Sequence, residues 1–584
     1  MIRGLSSIHS LPLPGRLSLV LLITALAACV PQRPDAPATA AAADNGASYA
    51  VFDYFEYTGR DPVFEKFKPG ADEYQNPVLA GYYPDPSNVR VGEDYYLVNS
   101  SFCHSPGLPL FHSRDLVHWT QLGNIIERPS QLDCKGLGLS RGIFAPDISY
   151  HDGAFYLVTT CVDCGGNFVM TARDPAGPWS DPVWLPEVGG IDTSLFFDDD
   201  GSAWIVNNEE PVGGSTYSGH RALWVQRFDP RKLATFGPRK MIINGGWKPE
   251  DKPIWIDGPH IFRHDGRLYL IAAEGGTSVN HSQVVFKADR VEGPWTPYPG
   301  NPILTQRHLG GGRAFPVTST GHADFVETPD GHWWATFLAT RPYRDNLYNT
   351  GRETFLMPVR WVDDWPVITA GLEQVPYVAK RPHLPDQAAP AIPTTGNFTV
   401  REEFDGPLPA YWMQLRAPED KWYDLKSQPG SIRIKARADS IGALAQPSYL
   451  GRRQQHAYAT ASTAMRYAPK SDGARAGLVA MQNDEYYYFF GIENADGAAQ
   501  LVLRKRAGSK EPVDGKPVKS MAFPAASSIE LRIEARGEKY DFRYRSSSGD
   551  WILFAANQDG AILSTEIAGG FVGATIGMYA YSPE

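Results

Sequence analysis

Five stretches of the chain repeat one design, and that repetition limits the fold more than any other feature. They are "DPSNVRVGEDYYLVNSS", "FAPDISYHDGAFYLVTT", "IDTSLFFDDDGSAWIVNN", "IDGPHIFRHDGRLYLIAAE" and "GHADFVETPDGHWWATFLAT". Each joins two apolar, aromatic strands through a tight turn built on Asp-Gly or Gly-Glu-Asp, the pattern of a β-hairpin. They recur about 45–65 residues apart, the length of a propeller blade with its loops. Outer-strand echoes follow in "HSRDLVHW", "TARDPAGPW" and "KADRVEGPW". Five copies predict an all-β chain that begins with a five-bladed β-propeller, its domain set at 49–380. The 15 Trp, 28 Tyr, 56 Gly and 48 Pro suit short strands joined by turns.

The repeat also locates a site. Counting back 13 residues from Leu157, Ile205, Leu270 and Ala335 reaches Phe144, Asp192, Asp257 and His322. In the first repeat the turn is one residue shorter, and 12 back from Leu97 is Asp85. Innermost propeller strands line the central axis, so equivalent slots converge at one end. A single Asp at a strand start is often only a turn residue. Five polar or aromatic residues in register predict a shared funnel holding three carboxylates, an imidazole and a ring. Such acids suit inverting glycoside hydrolysis. One stays ionised to activate water, one stays protonated to serve the leaving oxygen, and a third charge raises the donor's pKa. Aromatic rings suit the apolar faces of a sugar.

These segments resemble glycoside hydrolase family 43, in particular its β-xylosidase and α-L-arabinofuranosidase members with a C-terminal β-sandwich. The resemblance covers about residues 75–584. "NPVLAGYYPDPSNVRVGEDYYLVNSSF" is similar to the family's opening blade and implies Asp85 as general base. "GIDTSLFFDDDG" implies Asp192 as the pKa-modulating, sugar-orienting acid, and "GHADFVE" implies His322 as the central His. "TGRETF" implies a substrate-binding Arg352. "GIFAPD" puts Phe144 at a subsite wall where the family usually has Trp, and Phe102 in "SSF" fills another wall position. In "AGGFVGATIG" the resemblance implies that Phe571 reaches the pocket rim from the second domain.

The departure is at the proton donor. The family uses the Glu of Glu-Gly-Pro-His, and this chain has Asp257-Gly258-Pro259-His260, an acid one methylene shorter. Small misplacements of this kind can cost orders of magnitude in rate. Glu274 in "AAEGGT" lies 17 residues later, outside the slot. Asp147 in "FAPDIS" is three residues nearer its second strand and reads as a structural acid; His260 and His281 read either as loop residues or as partners of the acids. The chemistry requires no cofactor, but His322 is a candidate holder of a divalent cation such as calcium on the axis.

Other features set the context. Arg3 and Arg16 precede "LSLVLLITALAAC", an apolar run too short for an ordinary spanning helix. Leu26-Ala27-Ala28-Cys29 resembles a bacterial lipoprotein signal, so residues 1–28 are expected to be removed and Cys29 lipidated, with 29–48 a Pro/Ala-rich tether. A second Pro/Ala segment, 381–396, reads as a linker. After it, "SIRIKA", "YYYFFGIEN" and "SIELRIEARGEKYDFRYRS" alternate with period 2 and predict a jelly-roll-like β-sandwich over 397–584. A net charge of −10 argues against nucleic acid or an anionic membrane surface as partner, leaving membrane contact to the lipid anchor. Cys103, Cys134, Cys161 and Cys164 remain in the mature chain, and in an exported protein they predict one or two disulfides. A zinc site at "CVDC" lacks a second ligand pair of similar spacing. The reading is an exported bacterial protein, periplasmic or at the cell surface. It would be an exo-acting inverting hydrolase releasing xylose, arabinose or both from hemicellulose-derived, pentose-containing oligosaccharides. The alternative is a sugar-binding lipoprotein with weak or lost catalysis because of Asp257.

Overall fold

A computed structural model describes residues 48–583 except 311, 370–373, 525–527 and 547–548. The expected signal segment and nearly all of the tether lie outside the described residues. Five sheets follow one another in chain order. Their innermost strands are Ser87–Val91, Asp147–His151, Ile191–Phe197, Asp257–His264 and Thr318–Glu327. Each packs against the next, and the fifth packs against the first, so the five sheets close into a ring. These are the blades of the five-bladed propeller that the repeats predict.

Among the described residues no full strand from the far end of the domain completes a blade, although a single bridge joins Leu79 to Thr354 of the fifth. Closure uses smaller devices. Glu73–Gln75 pairs with Val378–Lys380, and the Asn76 side chain imitates a strand neighbour. Its amide nitrogen donates to the Leu356 carbonyl (2.9 Å), and its oxygen accepts the Leu356 N–H (2.9 Å).

The second domain is a sandwich of an eight-stranded and a six-stranded sheet. One of its strands comes from the other end of the chain. Tyr49–Gly59 pairs with Thr399–Glu402 and Ile432–Lys435 on one side and with Tyr458–Arg466 on the other. The propeller boundary at residue 49 is therefore corrected: this strand belongs to the sandwich. The reason is burial. Ala50, Phe52, Phe55 and Tyr57 are at most 1% exposed and belong to the sandwich core with Ile432, Ile434, Leu531 and Phe542.

The six-stranded sheet buries both faces. Leu478, Tyr488 and Phe490 face the eight-stranded sheet, while the alternate residues Val479, Tyr487 and Phe489 share a core with Leu108, Ile143 and Phe168 of the propeller. This explains why "YYYFFGIEN" is apolar on both parities. At about 25 cal/mol per Å² of apolar surface, such a continuous core holds the two domains far more firmly than a polar interface could. Buried ions add registry at the same boundary. Arg341 donates to Glu353 (2.6 and 2.9 Å) and to Asp61 (2.8 Å), which follows the N-terminal strand. The 381–396 segment is also held down: the Thr394 carbonyl accepts from Ala80 N–H (2.8 Å), and Arg381 donates to Asp115 (2.9 Å).

Candidate active site

The innermost strands do not start regularly. Strand register shifts between Ile191 and Ser194 in the third blade, between Asp257 and His260 in the fourth, and between Gly321 and Asp324 in the fifth. A bulge bends a strand and turns a side chain out of the pleat. Backbone strain sits at the same places, with φ of 52° at Asp85, 56° at Asp192, 53° at His322 and 52° at Gly258. Asp and His tolerate this left-handed region better than branched residues do. At Gly258 a side chain would also meet the His322 ring at 2.7 Å, so the glycine lets the imidazole lie against the fourth blade.

These bulged starts open into one cavity of about 960 Å³. Asp85, Phe144, Asp192, Asp257 and His322, the five slot residues, all line it, and so do Phe102, Arg352 and Phe571. Every site residue singled out in the folded part of the chain is thus brought to one place. Glu274 is not among the lining residues. Its carboxyl accepts from Trp247 N–H (3.3 Å) beneath the adjoining loop, and burial pushes its pKa up to about 7.

The carboxylates sit in different environments. Asp85 accepts from Ser100 Oγ (2.6 Å) and from Arg352 Nη1 (2.8 Å). Burial works against its charge, but Arg352, His322 and Ser100 outweigh burial and hold it below the usual carboxylate range. Asp257 has no hydrogen bond to its carboxyl among the described residues. Burial, and after it the charge of Asp192, pushes its pKa well above the usual range. Asp192 accepts the Gly258 N–H (3.3 Å) and lies 3.5 Å from His322 Nε2. Burial opposes a charge on His322, but its bond to Asp192 and the nearby Asp85 win, raising it to about 9. The centre therefore favours charge on the acid of blade one, a retained proton on the acid of blade four and an imidazolium on the histidine of blade five.

Three phenylalanines form the apolar wall. Phe102 and Phe571 stack at 5.9 Å between centroids, and Phe144 meets each edge-on, at 5.4 and 5.5 Å. The Arg352 guanidinium lies 5.9 Å from Phe102 and 5.6 Å from Phe571. Phe571 is held by its N–H, which donates to Ser140 Oγ (2.8 Å). The sandwich segment before it is tied to the propeller at Ser564, whose Oγ accepts from Tyr348 N–H (3.0 Å).

Around the axis, among the described residues, Asp192–Asp257–His322 and Asp147–His260–Asp324 each bring ligand atoms within 4.8 Å of one another, and either spacing could admit a cation. The chain matches the family model "Glycosyl hydrolases family 43" over residues 74–366 and "Beta xylosidase C-terminal Concanavalin A-like domain" over 401–584. A xylosidase/arabinosidase of Butyrivibrio fibrisolvens is 39% identical over 87% of this chain and 95% of its own length. A non-reducing end α-L-arabinofuranosidase of Bacteroides ovatus is 35% identical over 87% and 91%. Among solved structures, a GH43_12 retrieved from capybara gut metagenome superposes with a TM-score of 0.84 at 38% identity, covering 92% of this chain and all of that one. The chain belongs to glycoside hydrolase family 43.

Membership makes it a glycosidase. Sequence reasoning missed several lining or supporting residues of this family 43 site. Ser100 and Thr277 contact Asp85 and Arg352 from neighbouring loops; Arg352 Nη1 to Thr277 Oγ1 is 3.2 Å. Arg221 stacks on Trp255 (4.4 Å) at the mouth. His281, left open above, lines the cavity, and its Nδ1 lies 3.0 Å from the Ser319 carbonyl. Asp324 was the clearest omission. Its signal was its place two residues after the slot, one short of the three-residue offset of Asp147 and His260.

Proposed function

We propose that this family 43 member is an exo-acting, inverting glycoside hydrolase that releases xylose, arabinose or both from hemicellulose-derived oligosaccharides. The observation that carries the reading is the contrast across one cavity between Asp85, bonded to Arg352 and Ser100 and held below the usual carboxylate range, and Asp257, pushed above that range by burial and Asp192. Asp85, ionised and held by Arg352 and Ser100, takes a proton from the attacking water. Asp257 gives its proton to the leaving glycosidic oxygen, and Asp192 keeps that proton in place through its own charge. Asp85 and Asp257 stand on the first and fourth blades, which suits a water between acid and sugar and hence inversion. Phe102, Phe144 and Phe571 face the apolar side of a small sugar, and Arg352 and His322 reach its hydroxyls. With Phe571 walling the cavity from the second domain, the site suits a terminal sugar better than the middle of a chain. The names of the similar proteins from Butyrivibrio and Bacteroides support a pentose substrate.

A divalent cation such as calcium would be held on the axis by His322, whose Nδ1 is buried without a hydrogen-bond partner among the described residues, together with Asp192 and water. It would supply fixed positive charge there, and its binding would compete with the proton on His322. The chain's first residues support export and lipid attachment at Cys29 to a periplasmic or outer surface; Cys29→Ser should leave the protein unlipidated when expressed with a labelled fatty acid.

The purified mature chain should release sugar from aryl β-xyloside, aryl α-L-arabinofuranoside or both, with inverted anomeric configuration observed by NMR. A well-folded chain that releases neither, even as Asp257→Glu, would leave only the sugar-binding alternative.

A further inference from the structure

Four cysteines from three separate segments gather at one place beside the aromatic wall. Cys161 and Cys164 are joined by a disulfide, while Cys103 and Cys134 are buried free thiols. The Cys134 sulfur lies within 4.8 Å of both sulfurs of that disulfide. The Cys103 thiol donates to the Arg141 carbonyl (3.3 Å), next to Gly142. Gly142 keeps the two thiols together: a side chain there would meet Cys103 Sγ at 2.8 Å and Cys134 Sγ at 2.9 Å. The surroundings are apolar, with Phe102, Leu132, Leu139 and Ile143 in the same core. A metal site at "CVDC" fails on ligand supply as well as on spacing, because two of the four sulfurs are already bonded to each other.

Access separates the two pairs. Cys103 and Cys134 are 1% and 4% exposed. Cys164 is half-buried and lines a surface groove of about 430 Å³ with Asp133, Lys135, Asp163 and Trp184. A soluble disulfide reagent can reach Cys164, whereas Cys103 and Cys134 line only a cavity of about 20 Å³, too small to admit one.

We propose that Cys103 and Cys134 are the site of a second cross-link, and that Cys161–Cys164 is the relay that closes it. In the first step the Cys134 sulfur attacks the Cys161–Cys164 bond. A mixed disulfide to Cys134 forms, and the displaced sulfur takes up the Cys134 proton. In the second step Cys103 attacks Cys134 in that mixed disulfide. Cys103–Cys134 forms, and the Cys103 proton passes to the second released sulfur. Two electrons thus move from the buried pair to Cys161 and Cys164, with no outside reagent. An external low-molecular-weight disulfide then reoxidises Cys161 and Cys164 from the groove, leaving as two thiols. The product fixes the strand end carrying Phe102 to the loop carrying Ser140 and Arg141, so the wall of the cavity is stapled from behind.

The test uses the full mature chain, reduced with dithiothreitol, desalted, and incubated with oxidised glutathione. Thiols are trapped by alkylation at intervals, and disulfides are mapped by peptide mass spectrometry. Cys161–Cys164 should form first and Cys103–Cys134 second, ending with no free thiol among the four. Cys164→Ser should slow closure of Cys103–Cys134 at least tenfold. The proposal is overturned if Cys103 and Cys134 stay alkylatable in the wild-type chain once Cys161–Cys164 has closed. It is equally overturned if they close at the wild-type rate in a folded Cys161→Ser/Cys164→Ser variant. A reduced chain that retains one zinc per molecule, lost on Cys134→Ser, would also overturn it.

Discussion

Around the propeller axis, Asp85, Asp192, Asp257 and His322 face the cavity, while Asp147, His260 and Asp324 form a second tier two to three residues further along their strands. Both tiers are built from acids around one histidine, and all are buried except Asp257, which is half-buried. They differ in how their oxygens are used. Asp147 accepts from Leu195 N–H (3.0 Å) and Ser149 Oγ (3.2 Å). Asp324 accepts from Asn88 N–H (2.8 Å), Phe325 N–H (2.8 Å) and Ser87 Oγ (2.9 Å). His260 Nδ1 lies 3.3 Å from Asp147 and 3.6 Å from Asp324. Burial opposes its charge, but Asp324 and Asp147 raise its pKa. The second tier spends its hydrogen-bonding capacity tying blades together, and none of its residues lines the cavity. In the first tier Asp257 keeps its carboxyl free of protein partners. Residue type does not separate a reactive acid from a structural one; access and unused hydrogen-bonding capacity do.

The sharpest test of this contrast is Asp257→Asn. It should lower kcat/KM by about 10²–10⁴ while leaving the thermal midpoint nearly unchanged. Asp257→Glu, which restores the longer arm, should raise kcat and leave stability alone. In the second tier the pattern should invert. Asp324→Ala strands His260 beside a single acid and should cost about 3–5 kcal/mol of stability in urea unfolding. Steady-state kinetics on the remaining folded enzyme should change much less.

Two cavity histidines sharpen the comparison further through pH. His322 is raised to about 9 in the fold, against about 6.5 unfolded. Its contribution to stability is complete below about pH 6.5 and is lost as pH rises through 9. Burial holds His281 down at about 3, so its contribution is complete above about pH 6.5 and is lost as pH falls toward 3. Urea midpoints should show that His322→Gln flattens the alkaline side of the profile and His281→Gln the acid side. The smallest effect belongs to the wall. Phe571→Ala should weaken catalysis on small aryl glycosides by roughly two- to tenfold, the worth of one aromatic contact, measured as kcat/KM.

Much of this was legible in the sequence because a propeller repeats itself. Asp85, Asp192, Asp257 and His322 could be aligned by counting, and the repeat brings equal positions to one axis. The bulges that aim them could not be read, since a register shift leaves no mark on composition. Contacts between blades were equally hidden: nothing near Asp85 in sequence announces Arg352, 267 residues away. The strand Tyr49–Gly59 was lost for a different reason. Its alternation is plain, but alternation names a strand without naming its sheet, and proximity suggested the wrong domain. The six-stranded sheet shows the same limit, because apolar residues on both parities reveal two buried faces only when the second partner is known.

That first strand sets an order on how the molecule can be completed. Its partners, Thr399–Glu402, Ile432–Lys435 and Tyr458–Arg466, are synthesised more than 300 residues later. Until they emerge, an aromatic segment at the head of the chain has no edge to join and must be kept from joining another molecule's. The propeller can close on its own contacts in the meantime. The wall carrying Phe571 is delivered last, so a newly made chain acquires its acids before it acquires the shape of its pocket.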